Sequence, residues 1–257
     1  MCGISGFLEF KKSLSRNDIK QFSIKMSDSL TRRGPDSSGV WIHSDLNLTL
    51  SHRRLSIIDL NKRSDQPMIS SNGRFTIVFN GEIFNFRELK LILKEKGVLF
   101  KTDCDTEVIV EALNIWGVEK SIKKLNGMFA IAIWDNTLKN LYLTRDRVGI
   151  KPLYFYLDNR NFAFASELKA LKVLPWLEFE IDGRSLSSYV RLNYIPTPNS
   201  IYRNIKKLEP GNILEINLQK KITKKKYWSF QKIAEKNSKI NEPINHRDLE
   251  EFLKKKV

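Results

Sequence analysis

Cysteine is almost missing from this chain: among 257 residues only Cys2 and Cys104 carry thiols. Two thiols, one of them at the start, do not make a disulfide framework and fit a reducing, cytoplasmic location. Histidine is as scarce. His43, His52 and His246 are scattered, with no Cys/His group at metal-ligand spacing, so no metal site is expected. No apolar run approaches the ~18 residues needed to span a membrane, and the start of the chain lacks the charged-then-apolar pattern of a secretory signal. Acid is in deficit, with 29 Asp and Glu against 44 Lys and Arg and a net charge of +15. Such an excess invites a nucleic-acid reading. Much of it, however, collects late, in Lys220-Lys221, Lys224-Lys225-Lys226 and Lys254-Lys255-Lys256. No zinc-finger, basic-zipper or aromatic RNA-binding signature accompanies it. A solvated lysine-rich surface accounts for the charge, and neither nucleic acid nor membrane is expected as a partner.

What is present starts at the first seven residues, Met1-Cys2-Gly3-Ile4-Ser5-Gly6-Phe7. A small second residue permits removal of the initiator Met, which leaves Cys2 with a thiol and a free α-amine. A free thiol titrates near ~8.5 and an α-amine near ~7.7–8.0, so one residue supplies both nucleophile and base. A cysteine near a terminus is also simply a small apolar residue; an acylation site would need companions that are not here.

Further on, Asn17–Leu30 carries Ile19, Phe22, Met26 and Leu30 at helical steps, with Asn17 as the cap. Arg33-Gly34-Pro35-Asp36 reads as a turn, and Val40–Ile42 with Leu46–Leu50 as a hairpin. Arg53 and Arg54 abut an apolar run, where a guanidinium either grips a carboxylate through paired hydrogen bonds or lies on the surface. The strand Arg74–Phe79 runs into Asn80-Gly81-Glu82. Asn-Gly is first a turn signal; its amide and backbone N–H also suit an oxyanion. Phe86–Glu95 and the run from Val108 to Trp116 are helical by spacing, and Asp103 and Asp105 sit where caps belong. Cys104 reads as a packing residue. Met128–Trp134 and Leu141–Thr144 pair around Asp135-Asn136-Thr137. The mixed charges of Arg145–Tyr154 suggest a buried ion network or a surface loop. Phe162–Ser166 reads as a strand, Ser185–Leu192 as a helix, and Ile213–Ile216 with Ile222–Trp228 as a last hairpin. Residues 229–246 read as a linker, and a helix begins at Arg247.

Taken in order, these pieces resemble the glutaminase domain of glutamine-hydrolysing asparagine synthetases. The resemblance rests on Met1-Cys2-Gly3-Ile4, Arg33-Gly34-Pro35-Asp36, His52-Arg53-Arg54-Leu55-Ser56-Ile57-Ile58-Asp59, Asn80-Gly81-Glu82-Ile83-Phe84-Asn85, Asp105-Thr106-Glu107, the Arg145–Tyr154 block and Ser166-Glu167. Arg32 departs from the pattern, in which many members carry His. The resemblance implies an α+β fold, a four-layer αββα sandwich of N-terminal-nucleophile type. It implies a glutaminase domain over 2–200, a final hairpin and linker over 201–246, and over 247–257 the start of a helix leading to a synthetase domain. By the same resemblance Cys2 attacks the amide of glutamine, and Asn80 and Gly81 stabilise the oxyanion. Arg54 holds the α-carboxylate, Leu55, Ser56, Ile57 and Ile58 line the pocket, Asp105 receives the α-ammonium and Glu82 helps position that end.

No cofactor is expected in this domain; ATP and Mg belong to the synthetase domain, which would act in cis or in trans. The Ser-Gly-Gly-x-Asp-Ser loop that opens such a domain does not occur in this sequence, so this stretch by itself is expected to hydrolyse glutamine without making asparagine. The resemblance allows a homodimer. Two alternatives stay open: an amidotransferase glutaminase serving a different acceptor, such as a sugar acid or a peptide, and a catalytically silent regulatory module.

Overall fold

The first strand shows how the layers arise. In β1 (Gly3–Glu9) every residue is buried. Side chains alternate along a strand, so Ile4 and Leu8 enter one apolar cluster while Phe7 enters another on the opposite face. A strand buried at every position therefore needs cover on both sides. The computed structural model describes residues 1–57, 59, 61–237 and 245–254.

After β1 come α1 (Arg16–Ser29), β2 (Ser37–Ile42), β3 (Asn47–Arg54), β4 (Met68–Ile69) and β5 (Phe75–Ile83). Three helices follow, α2 (Phe86–Glu95), α3 (Asp105–Trp116) and α4 (Val118–Lys124). Next are β6 (Gly127–Asp135), β7 (Asn140–Arg145), β8 (Tyr154–Leu157), β9 (Asn161–Ala165), α5 (Leu168–Leu171) and α6 (Gly183–Leu192). The strands β10 (Ile205–Lys207), β11 (Asn212–Asn217) and β12 (Ile222–Lys226) complete a unit running from Met1 to Tyr227. A second unit, Trp228–Val257, contains α7 (Phe230–Asn237) and α8 (His246–Lys254).

Two six-stranded sheets form, ordered β10-β8-β9-β1-β3-β2 and β12-β11-β7-β6-β5-β4. Every pairing of named strands is antiparallel. Between the sheets, Ile4, Leu8, Leu50 and Phe164 meet Val78, Ala132, Trp134 and Leu143. On the outside of the first sheet, Phe7 and Ala163 pack with Ile19, Met26 and Leu30 of α1's flank and with Leu171 of α5. On the outside of the second, Ile77, Phe79 and Ile131 pack with Leu89 and Leu93 of α2, Val108 and Ile109 of α3 and Ile122 of α4. The fold is α+β, in the αββα order that the resemblance implies.

Several local expectations change. Asn80-Gly81 makes no turn: β5 continues through both residues to Ile83, in register with β6, with Gly81 opposite Phe129. The strand passes close enough that a Cβ on Gly81 would lie 2.1 Å from Met128 O, so only glycine fits. The α1 cap is Ser15 rather than Asn17; its hydroxyl and Asp18 form a reciprocal capping box. The Tyr-Phe-Tyr-Leu run of β8 was hidden behind the mixed-charge reading of the preceding residues, although its aromatics favour a strand. The last hairpin belongs to the main unit, because β10 pairs with β8 and β11 with β7. The stretch 229–246, expected to be a linker, includes the helix α7; residues 238–244 lie outside the described residues.

The Arg145–Tyr154 block is neither an ion network nor a free loop. Arg145 donates to three carbonyls, those of Lys151 at 2.7 Å, Leu208 at 2.8 Å and Gly149 at 2.6 Å. Asp146 accepts from the backbone N–H groups of Val148, Gly149, Ile150, Lys151 and Phe129. Opposite charges hold the backbone here rather than one another, and the loop is rigidified at the edge of the sheets.

Candidate active site

Cys2 sits just ahead of β1, at the end of the inter-sheet space. Its carbonyl accepts from Arg33 Nε at 2.8 Å, and Arg33 is itself tied to Glu167 at 2.9 Å. At the next step Ile4 N donates to Ser166 Oγ at 3.0 Å. The Arg-Gly-Pro-Asp and Ser-Glu motifs thus act as clamps on the N-terminal strand. The thiol lies against the residue after β3: Leu55 N donates to Sγ at 3.4 Å, and Sγ reaches Leu55 O at 3.7 Å. Burial pushes the thiol's pKa up, and the Leu55 backbone contact and the chain's amino group pull it back. A thiol in this position is mostly protonated at neutral pH and needs a base.

Facing Cys2 across one cleft of about 130 Å³ are Arg54, Leu55, Ile57, Asn80, Gly81, Glu82 and Asp105. These come from β3, β5 and α3, elements far apart in sequence. Asn80 is 1% exposed, and neither its amide nitrogen nor its side-chain oxygen has a hydrogen-bond partner. A buried, unpaired amide costs stability, so its persistence points to a ligand group. The Gly81 N–H joins it by strand phase. On antiparallel strands alternate residues turn their N–H and C=O away from a given neighbour. Phe79 N turns to Gln66 Oε1 at 2.6 Å and Ile83 N to Asp105 Oδ2 at 3.1 Å, both away from β6. Gly81, midway between them, shares that phase, so its N–H faces the cleft.

Asp105 opens α3 and is 6% exposed. Burial raises its pKa to about 6, against the lowering effect of the Ile83, Thr106 and Asp105 backbone N–H groups. Asp103, the other carboxylate of the pair, is on the surface, bound to Lys90 at 2.8 Å. Arg54 is 6% exposed and reaches the cleft already engaged. It holds Asp65 at 2.7 Å and the carbonyls of Asn61 and Asp59. This fixes the guanidinium in place and shapes the loop that follows β3.

Of the expected pocket residues, Ser56 does not line the cleft; its N–H donates to Asp36 at 2.7 Å. Ile58 lies outside the described residues. Sequence reasoning missed Gln66, Thr106 and Lys151. Gln66 also donates to Phe79 O and Thr106 Oγ1, bracing β5 against α3 beside Asn80. Lys151 is 4% exposed, lines the cleft and donates to Met1 Sδ at 3.2 Å. His52, quoted in a motif without a role, is buried and bonds Phe79 O at 3.1 Å across the sheets. Burial lowers its pKa to about 3, so it is neutral and serves as a brace. Among the described residues no group of three or more His, Cys, Asp or Glu is placed to hold a metal ion. No helix there is long and apolar enough to cross a membrane.

Comparison with known proteins places the chain among its relatives. The chain is 33% identical over 252 residues to glutamine-hydrolysing asparagine synthetase 3 of Bacillus subtilis, covering 97% of this chain and 40% of that protein. It is 34% identical to a putative glutamine-hydrolysing asparagine synthetase 2 of Methanocaldococcus jannaschii, covering 94% of this chain and 50% of the relative. The chain therefore spans half or less of these relatives. Among solved structures, the glutamine phosphoribosylpyrophosphate amidotransferase of B. subtilis superposes with a TM-score of 0.64 over 89% of this chain and 50% of that one, at 19% identity. That likeness speaks to the fold alone. Residues 1–228 match the family described as the glutamine amidotransferase domain. The match runs from Met1 through both sheets to the last hairpin, and this chain belongs to the glutamine amidotransferase domain family.

Proposed function

We propose that the chain, once freed of Met1, hydrolyses glutamine to glutamate and ammonia at Cys2, and that the ammonia is used to make asparagine from aspartate on an ATP-dependent synthetase domain. The observation that carries the first part is the unpaired Asn80 amide in one cleft with Cys2. The second part rests on the relatives' names.

In this reading the α-amine of Cys2 takes the thiol proton as sulfur attacks the amide carbon. The carbonyl oxygen becomes an oxyanion, received by Asn80 Nδ2–H and Gly81 N–H. Collapse breaks the carbon–nitrogen bond, and the proton returns to the leaving nitrogen as ammonia departs. Water, deprotonated by the same amine, then opens the thioester and releases glutamate. Arg54 faces the α-carboxylate and Asp105 the α-ammonium, so a zwitterion finds one fixed cation and one anion. ATP and Mg enter only in the partner domain's chemistry.

The test is intact mass and peptide mapping after treatment with a diazo-ketone analogue of glutamine. A single adduct on Cys2, blocked by excess glutamine and missing in Cys2→Ala, is the expected result. No adduct on folded, Met-free protein, or one that glutamine does not block, overturns the reading.

Asp105 gives a second, independent check. Asp105→Asn removes the anion and raises KM for glutamine about 10–100-fold, the range of a hydrogen bond to a charged group. The same change stabilises the empty protein. A buried carboxyl with a folded pKa near 6, above ~3.9 unfolded, favours folding only below the unfolded value and opposes it as pH rises through 6. Asp105→Asn therefore gains up to about 3 kcal/mol at pH 7.5, and the gain fades below pH 4. Denaturant titrations at both pH values and a KM measurement check this. An unchanged KM, or a less stable variant at pH 7.5, contradicts it.

A further inference from the structure

A second cavity, of about 200 Å³, borders the same Gly149–Tyr154 loop that reaches the reaction cleft. Lys151 of that loop lines the cleft, whereas Pro152, Leu153 and Tyr154 line the second cavity. Arg145, Lys207, Tyr194 and Thr197 complete the polar part of its wall, which contains no Asp or Glu.

The chemistry of that wall is lopsided. Arg145 is 8% exposed, and every hydrogen bond of its guanidinium goes to a backbone carbonyl. Among the described residues Lys207 Nζ likewise bonds only Ile195 O, at 2.6 Å. The nearest acid to Arg145, Asp146, is occupied by five backbone N–H groups. The hydroxyls of Tyr154, Tyr194 and Thr197 make no hydrogen bond within the described residues. Two cations are thus partly desolvated side by side, and Asp146, whose charge acts on Arg145, has its oxygens taken up by backbone N–H groups and does not bond either of them. Burial, and then repulsion from Arg145, pulls the Lys207 pKa below its ordinary value. An entering anion relieves both the desolvation and the repulsion.

We propose that this cavity is a binding site for a small phosphate-class anion, held between Arg145 and Lys207 with the hydroxyls of Tyr154 and Thr197 as further donors. A tetrahedral anion is favoured over a carboxylate by donor count. The unused guanidinium and ammonium N–H groups and three hydroxyls exceed the roughly four lone-pair sites that a carboxylate offers. The site is independent of the glutaminase reading, since no residue lines both cavities.

The test is isothermal titration of the whole chain with inorganic phosphate, pyrophosphate and acetate, on wild type, Lys207→Met and Tyr154→Phe. Glutamine hydrolysis and ligand-free melting temperature serve as controls for folding. Phosphate or pyrophosphate is expected to bind wild type in the micromolar to millimolar range, at least tenfold more tightly than acetate. Lys207→Met is expected to weaken binding at least tenfold while leaving hydrolysis unchanged. Tyr154→Phe, which keeps the ring and loses the hydroxyl, is expected to weaken it about 3- to 10-fold, and it stands as the test if Lys207→Met misfolds. No binding of phosphate or pyrophosphate at millimolar concentration, equal binding of acetate, or unchanged affinity in a folded variant overturns the proposal.

Discussion

Protein that keeps Met1 will hydrolyse glutamine about 10²–10⁴-fold more slowly than protein that has lost it, the span set by loss of a positioned base. In the structure Met1 precedes Cys2, so the Cys2 nitrogen is an amide with no lone pair to accept a proton. Among the described residues no side chain hydrogen-bonds Sγ in its place. The nearest contacts of the thiol are the Leu55 N–H and carbonyl. His52, the closest imidazole by sequence motif, faces Phe79 O and stays neutral with a pKa of about 3. Burial holds the thiol's own pKa above its ordinary value, so spontaneous thiolate is scarce. Met1 adds a steric block, because its side chain lines the cleft and takes the ammonium of Lys151. Treating unprocessed protein with a methionine aminopeptidase while following mass and hydrolysis together is the direct measurement. Activity should rise in step with the processed fraction. Equal rates before and after processing would mean that the base lies elsewhere in the cleft.

Why some of this was legible in the sequence and some was not follows from the distances involved. Cys2, Arg54, Asn80, Gly81 and Asp105 sit in short motifs whose chemistry needs neighbours along the chain, and all five line one cleft. The layer order came with the family resemblance, and the structure supplies its cause: β1 is buried at all seven positions and so needs cover on both faces. What failed was local grammar overridden by tertiary contact. Asn-Gly favours a turn, yet nine ladder pairs with β6 keep it extended. Gln66, Thr106 and Lys151 belong to the cleft only through strand register and a loop held by Asp146, neither of which leaves a local pattern. The sequence leaves Arg54 between a carboxylate grip and a surface position; it is buried and held by Asp65 and two carbonyls.

Asn80→Ala should lower kcat about 10²–10³-fold with little change in KM, the loss expected for one oxyanion donor. The split follows from where the amide points. Arg54 and Asp105, the charged groups facing the two ends of an amino acid, are untouched, so ground-state binding survives. The amide has no ground-state partner in the protein, so its hydrogen bond is made when negative charge develops on the substrate oxygen. The fold should not suffer. Removing two buried, unpaired polar atoms takes away a desolvation cost of about 1–3 kcal/mol each, which offsets the small void left behind. Asn80→Asp separates the two effects, since it keeps the shape but puts an anion where the oxyanion forms, and it should be slower still. Full kinetics with chemical denaturation on both variants is the measurement. A kcat loss that tracked a loss of stability would make Asn80 a structural residue of β5. A loss of kcat in a protein as stable as wild type, or more so, leaves an amide whose burial is tolerated because the transition state uses it.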